Sequence, residues 1–317
     1  MNSKYKINSC LLAIKSLIIM QFPKSIEIFR EIHCSFLKFI EDENNVEENY
    51  ENLSKLIIKH KIMNDKYEIK IYFHMLLNVC NNHYKVLDLY EKVEKIIVQF
   101  KENVLNYFSD FEIFDIFKSN KRILLILFDT KIITINQEIY DEMNLKKYQY
   151  LQYLEYFQPE ILKFNQKNEN QINDISADFY EKRKIGENDN YICKLIQNDS
   201  IEEFIIYINK NDYPLNSNIQ SSLFEINPNL LHDISLIEYA AFFGAVQIFK
   251  YLYLNNANLK SKIWCYGIHS DNPEMIHFLE EKLPYFNNAK LCKICIKESI
   301  KCHHNDITNY FLNNFSE

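Results

Sequence analysis

Near the C-terminus, Cys292-x-x-Cys295 is followed by Cys302-His303-His304. Thiolates and imidazoles suit zinc, and a C-x₂-C pair is a common half-site. The spacing works against a shared ion. Leu291 to Tyr310 reads as a helix, a turn at His303 and a second helix. Cys295 and Cys302 then lie two turns apart on one helix, about 10 Å along its axis. Zinc–sulfur bonds of about 2.3 Å do not bridge that gap without unwinding. Cysteine also serves as a small buried hydrophobe, so packed thiols without a metal are expected. A second cluster sets His269 and His277 near Asp271, Glu274 and Glu280, residue types suited to proton transfer. In a helical pair the two histidines fall on different helices and do not converge. No nucleophile signature and no H-E-x-x-H is present. The three glycines, Gly186, Gly244 and Gly267, cannot write a phosphate-binding loop. The expectation is a non-enzymatic chain with no cofactor.

The elements that position these residues are helical. Only 3 Gly and 6 Pro in 317 residues favour long helices over a turn-rich sheet. A hydrophobic share of 47% is enough to offset chain entropy, so a folded chain of one large or two ordinary domains is expected. The net charge of −7 excludes the basic surface typical of nucleic-acid binders. The short run Lys118-Ser119-Asn120-Lys121-Arg122 reads as a solvated helix end. The 8 cysteines are mostly scattered, and a chain with a real core needs no staples. Reduced thiols imply an intracellular, cytoplasmic protein. Lys4 and Lys6 precede an apolar run from Ile7 to Phe22, but Lys15 interrupts it. It is too short and broken for a bilayer span of roughly 20 residues, and reads as an amphipathic helix on the body. No membrane is expected.

From Ile26 to Phe164 apolar residues recur in steps of three and four. The stripes are Ile26, Phe29, Ile32 and Phe36; Leu53, Leu56, Ile57 and His60; Leu87, Tyr90, Val93, Ile97 and Phe100; Phe111, Phe114 and Phe117; then Leu151, Leu154 and Ile161. These steps predict consecutive helices. Arg122 to Ile135 is continuously apolar and is read as a helix, a turn and another helix. The polar, Asn-rich stretch 165–190 is the expected linker.

Beyond it the chain repeats. A small residue, a turn residue four later and an acidic or amide residue three after that recur as Ala240, Gly244 and Gln247. Gly267, Asp271 and Glu274 repeat the pattern, as do Ser299, His303 and Asp306, and more loosely Leu195, Asp199 and Glu202. The spacings are 45, 27 and 32 residues, against about 33 for an ankyrin repeat. The long first gap predicts an insertion around 209–232, and the short second gap a truncated turn. The small residue lets antiparallel helices approach. The turn residue is expected in the left-handed region, free to Gly and tolerated by Asn, Asp and His. Ile248, Leu252, Met275, Leu279, Ile307 and Phe311 form the second-helix stripe.

Several strings carry a family resemblance: Phe117 to Leu125, Lys131 to Ile135, Tyr156 to Ile161, Arg183 to Cys193, Leu236 to Gly244, Trp264 to Ser270 and Lys301 to Asp306. The chain resembles the divergent ankyrin-repeat proteins that form very large paralogue sets in parasitic protists, with the domain of unknown function DUF3447. The resemblance covers most of the chain from about Phe111, and the first hundred residues more weakly. It implies a helical N-terminal region, a C-terminal ankyrin array and no established activity.

The reading is therefore all-α: a helical N-terminal domain over 1–164, a linker over 165–190, and about four degenerate ankyrin repeats over 191–317. The expected role is an adaptor or scaffold that binds a protein partner through the groove. The candidate partner-binding residues are Gln197, Asn198, Tyr239, Phe242, Phe243, Tyr266, His269, Ser270 and Lys301, since aromatics at exposed groove positions make typical anchors. Phe242 and Phe243 either face such a partner or are covered by the N-terminal half or the insertion. The alternatives are a metal-binding or enzymatic protein using the Cys/His-rich C-terminus, and a paralogue without a dedicated partner.

Overall fold

The computed structural model describes residues 23–86, 88–165, 174–231, 233–260, 262–283 and 289–315. The expected helix over 7–22, Leu87 and residues 166–173 of the expected linker lie outside them. Among the described residues no β-strand forms, only an isolated antiparallel bridge between Asn218 and Ser235. The chain is all-α and divides into two compact units.

Among the described residues the first unit comprises 23–187 and 226–228. Its helices are α1 (Pro23–Glu41), α2 (Val46–Lys59), α3 (Lys66–Asn82), α4 (Leu89–Gln99), α5 (Lys101–Leu105), α6 (Asp110–Phe117), α7 (Lys121–Asp129), α8 (Gln137–Met143), α9 (Tyr153–Tyr156), α10 (Gln158–Phe164) and α11 (Ala177–Ile185). Their starts follow from caps. The Asp65 carboxylate accepts from the Tyr67 and Glu68 N–H groups, Asn120 caps α7, and Ser109 with Glu112 forms a capping box on α6. The 3- and 4-residue stripes supply the core, where Phe73 meets Phe117 at 5.0 Å and Phe128 meets Phe157 at 5.2 Å. The apolar run from Arg122 is helical only to Asp129. Ile132 and Ile133 are buried in the link, and the next helix begins at Gln137.

The expected linker contains a helix. Ser176 caps α11, and the Arg183 guanidinium lies buried on the first unit's own core. The division between units falls after Glu187. That point lies inside the expected stretch 165–190; the helix within it escaped a polar composition because its anchoring side chain is itself charged.

The second unit comprises, among the described residues, 188–225 and 229–315. It holds four helix pairs: α12 (Tyr191–Gln197) with α13 (Ile201–Lys210), α14 (Leu236–Phe243) with α15 (Val246–Leu254), α16 (Ile263–His269) with α17 (Pro273–Lys282), and α18 (Ala289–Lys301) with α19 (Asn305–Phe315). The first helices pack in chain order, α12 on α14, α14 on α16 and α16 on α18. One turn joins every pair. Asp199, Gly244, Asp271 and His303 all have positive φ, at 48°, 70°, 46° and 60°. Each donates its N–H three residues back, to Ile196, Ala241, Ile268 and Ile300. In three pairs the next N–H reaches five residues back, from Ser200 to Leu195, Ala245 to Ala240 and His304 to Ser299. This is the bond that closes a Schellman end. In the third pair the Ser270 hydroxyl donates to the Gly267 carbonyl instead, at 2.6 Å. At Gly267 an added Cβ would stand 2.5 Å from Leu279 Cδ1, so a larger residue would force the end of that side chain to shift.

The turns also tie neighbouring pairs. The Asp199 carboxylate accepts from the N–H groups of Gln247 at 3.0 Å and Ile248 at 2.9 Å, capping α15 from the preceding pair. The Asn272 amide donates to the Gly244 carbonyl at 3.2 Å. Asp199→Ala is expected to destabilise the second unit by about 1–2 kcal/mol, the loss of a cap, read by urea unfolding of the full chain.

Within the expected 209–232 insertion, residues 217–219 pair with the residues that lead into α14. Ile219 donates to the Ile234 carbonyl at 2.7 Å, and Leu236 to the Ser217 carbonyl at 3.3 Å.

Candidate functional site

Three ligand-bearing side chains converge where α16 ends beside α18. His269 closes α16, while Glu298 stands in the last turn of α18 and Cys302, four residues on, just past its end. The small residues Gly267 and Ser299 lie on these same first helices, which pack directly on one another. His269 Nε2 lies 2.8 Å from Glu298 Oε1, and Nδ1 lies 3.3 Å from Cys302 Sγ. The Phe242 ring stacks on the imidazole at 5.1 Å between centroids, tilted by 27°. Asn229, from the insertion, brings its amide to 3.4 Å from Nε2. Glu298 accepts a second bond at 2.8 Å from Lys301 on its other oxygen.

Burial pushes the Glu298 carboxyl up, but the hydrogen bonds from His269 and Lys301 outweigh it and hold the group down at about 2. The carboxylate is therefore ionised at neutral pH. Burial pushes the Cys302 thiol well above its usual range. Thiol, imidazole and carboxylate stand in the order of a nucleophilic relay, yet Cys302 is 0% exposed. A protonated, enclosed thiol neither attacks nor meets a substrate. Burial likewise pushes Cys193 up to about 12 and Cys265 up to about 11, so neither is an activated nucleophile. The cluster can hold a proton or a small ion.

The structure separates the sequence-predicted site residues into two groups. Gln197, Asn198, Phe243, Tyr266 and Lys301 keep contact with solvent. Tyr239, Phe242, His269 and Ser270 are buried, which corrects their expected exposure in a groove. Tyr239 and Phe243 are one turn apart and meet at 4.7 Å with their rings tilted, and the Tyr239 hydroxyl accepts from the Gln197 amide at 3.0 Å. Phe242 points a third of a turn away, into the rings of Tyr266 and His269. Ser270 bonds within its own turn.

His269 and His277 do not meet, and His269 pairs with Glu298 rather than with Asp271, Glu274 or Glu280. Among the described residues, Cys292, Cys295, His303 and His304 join no group of three ligands. The C-x₂-C spacing does not point to Glu298. Its signal is the four-residue step to Cys302, set about one repeat after His269.

At the opposite ends of α16 and α18 a cavity of about 600 Å³ opens, walled by Leu259, Ile263, Trp264, Leu291 and Ile294, with Lys260 and Lys262 at its lining. No helix among the described residues is long and apolar enough to cross a membrane. Comparison with known proteins finds no family model, no curated protein and no solved structure that match the chain.

Proposed function

We propose that residues 191–317 form a degenerate ankyrin array that binds a protein partner, making the chain an intracellular, cytoplasmic adaptor or scaffold without catalytic activity. One observation carries this reading: the same left-handed turn, with the same backbone bond three residues back, joins all four helix pairs. Stacked pairs of this kind present one continuous row of first-helix ends, a surface suited to recognition. The DUF3447-type resemblance of the sequence points the same way, and the net charge of −7 argues against nucleic acid as the partner. The row that remains accessible is Gln197, Asn198, Phe243, Tyr266 and Lys301. Phe243 and Tyr266 are its aromatic anchors.

The test compares affinity capture from a cytosolic extract by wild type and by the double variant Phe243→Ala, Tyr266→Ala. A specific partner held by the wild type is expected to lose at least ~30-fold in affinity, the scale of a hot-spot pair, while the helical circular-dichroism signal persists. Equal capture of that partner by the double variant would show that the row is not the binding surface.

A further inference from the structure

We propose that His269, Glu298 and Cys302 form a site for one divalent transition-metal ion of the zinc class, a property separate from partner binding. One nitrogen, one oxygen and one sulfur donor lie within 4.8 Å of one another in the interior of the second unit. Zinc holds such donors tetrahedrally with bonds of about 2.0–2.3 Å, which sets donor–donor separations near ~3.3–3.6 Å. The imidazole Nε2 stands 2.8 Å from Glu298 Oε1 and 3.9 Å from Cys302 Sγ. An entering ion opens the first gap by about half an ångström and closes the second by slightly less, and the imidazole turns so that Nε2 in place of Nδ1 faces Cys302.

Charge and softness agree with that geometry. With Glu298 as a carboxylate, two protons must move: the Nε2 proton that bonds Glu298 shifts to Nδ1, which frees Nε2 to ligate, and the Cys302 thiol loses its own. On binding, the S–H bond breaks, an S–metal bond forms, and the proton passes to solvent. Carboxylate and thiolate then balance a doubly charged ion, with neutral imidazole as the third ligand. The thiolate donor selects against calcium and magnesium, which take oxygen ligands. Asn229 brings its carboxamide to 3.4 Å from Nε2. A half-turn about its last bond presents the amide oxygen as a fourth donor, since the two ends of a carboxamide exchange places in this way. Phe242 stacked on the imidazole closes that side with an apolar wall, which strengthens every charge interaction inside. This ligand set differs from the Cys292-x-x-Cys295 half-site: it takes one sulfur from just past the end of α18 and its nitrogen from the preceding pair.

The test is titration of the metal-free full chain with Co²⁺. One ion per chain is expected, with the near-ultraviolet charge-transfer band of a single cobalt–thiolate bond and displacement by Zn²⁺. Cys302→Ser abolishes the band, and Glu298→Gln and His269→Gln raise the dissociation constant at least ~10-fold, the loss usual for even an outer-shell partner. Cys292→Ser leaves the titration unchanged. X-ray absorption of the zinc-loaded wild type needs no variant, and it should show one sulfur at about 2.3 Å with the remaining ligands nitrogen or oxygen. Absence of a thiolate band in the wild type overturns the proposal, as does a zinc shell of two or more sulfurs or loss of the band in Cys292→Ser.

Discussion

Replacing Arg183 with alanine is expected to destabilise the first unit by about 3–5 kcal/mol, the effect of stripping one partner from a buried ion pair. Arg183 is 1% exposed, and its two terminal nitrogens meet Glu160 at 3.2 and 2.9 Å. Its guanidinium also lies within 6 Å of four rings: Tyr156 at 5.3 Å, Phe179 at 5.4 Å, Phe157 at 5.8 Å and Tyr180 at 5.9 Å. Alanine would leave the Glu160 carboxylate, mostly shielded, without its counter-charge, and would open a void among those rings. The carbonyl of the same residue accepts from the Tyr156 hydroxyl at 3.0 Å, and that backbone bond survives the change. Arg183→Lys keeps the charge but loses the fork and the flat face, so it should recover less than half of the loss. Urea unfolding of the full chain measures both. A change below about 0.5 kcal/mol, typical of a surface site, would mean that α11 is a loosely held linker after all.

The second large effect is at Phe242. Phe242→Ala is expected to cost about 3–5 kcal/mol, the range for truncating a buried phenylalanine. The ring is 0% exposed and touches Phe243 at 5.3 Å, Tyr266 at 6.5 Å and His269 at 5.1 Å. Phe243→Ala, at the half-buried neighbour, should cost clearly less while acting on partner capture. The two adjacent phenylalanines thus separate a packing role from a recognition role. If the two variants unfolded at the same urea concentration, the assignment of Phe242 to the interior would be wrong. Removal of Phe242 also unstacks His269, so the cobalt-binding affinity should fall with it even where the fold persists.

The sequence by itself determined most of the helices and the turns that join the four pairs. Three- and four-residue apolar steps are a property of the helix alone, and they marked Phe29, Ile32 and Phe36 as one buried face. Left-handed backbone is costly for most side chains, so Asp199, Gly244, Asp271 and His303 could be read as turns one residue at a time. Only the tertiary structure decided which side chains face outward and which ligands meet. Residues adjacent on a helix point about 100° apart, so deciding which of Phe242 and Phe243 faces inward requires the neighbouring pair. Arg183 is polar in composition yet buried in fact, because Glu160, Tyr156 and Phe157 arrive from elsewhere in the chain while Phe179 and Tyr180 close on it from its own helix. His269 meets Glu298 and Cys302 because α16 and α18 lie side by side, a contact across about thirty residues that no local spacing encodes.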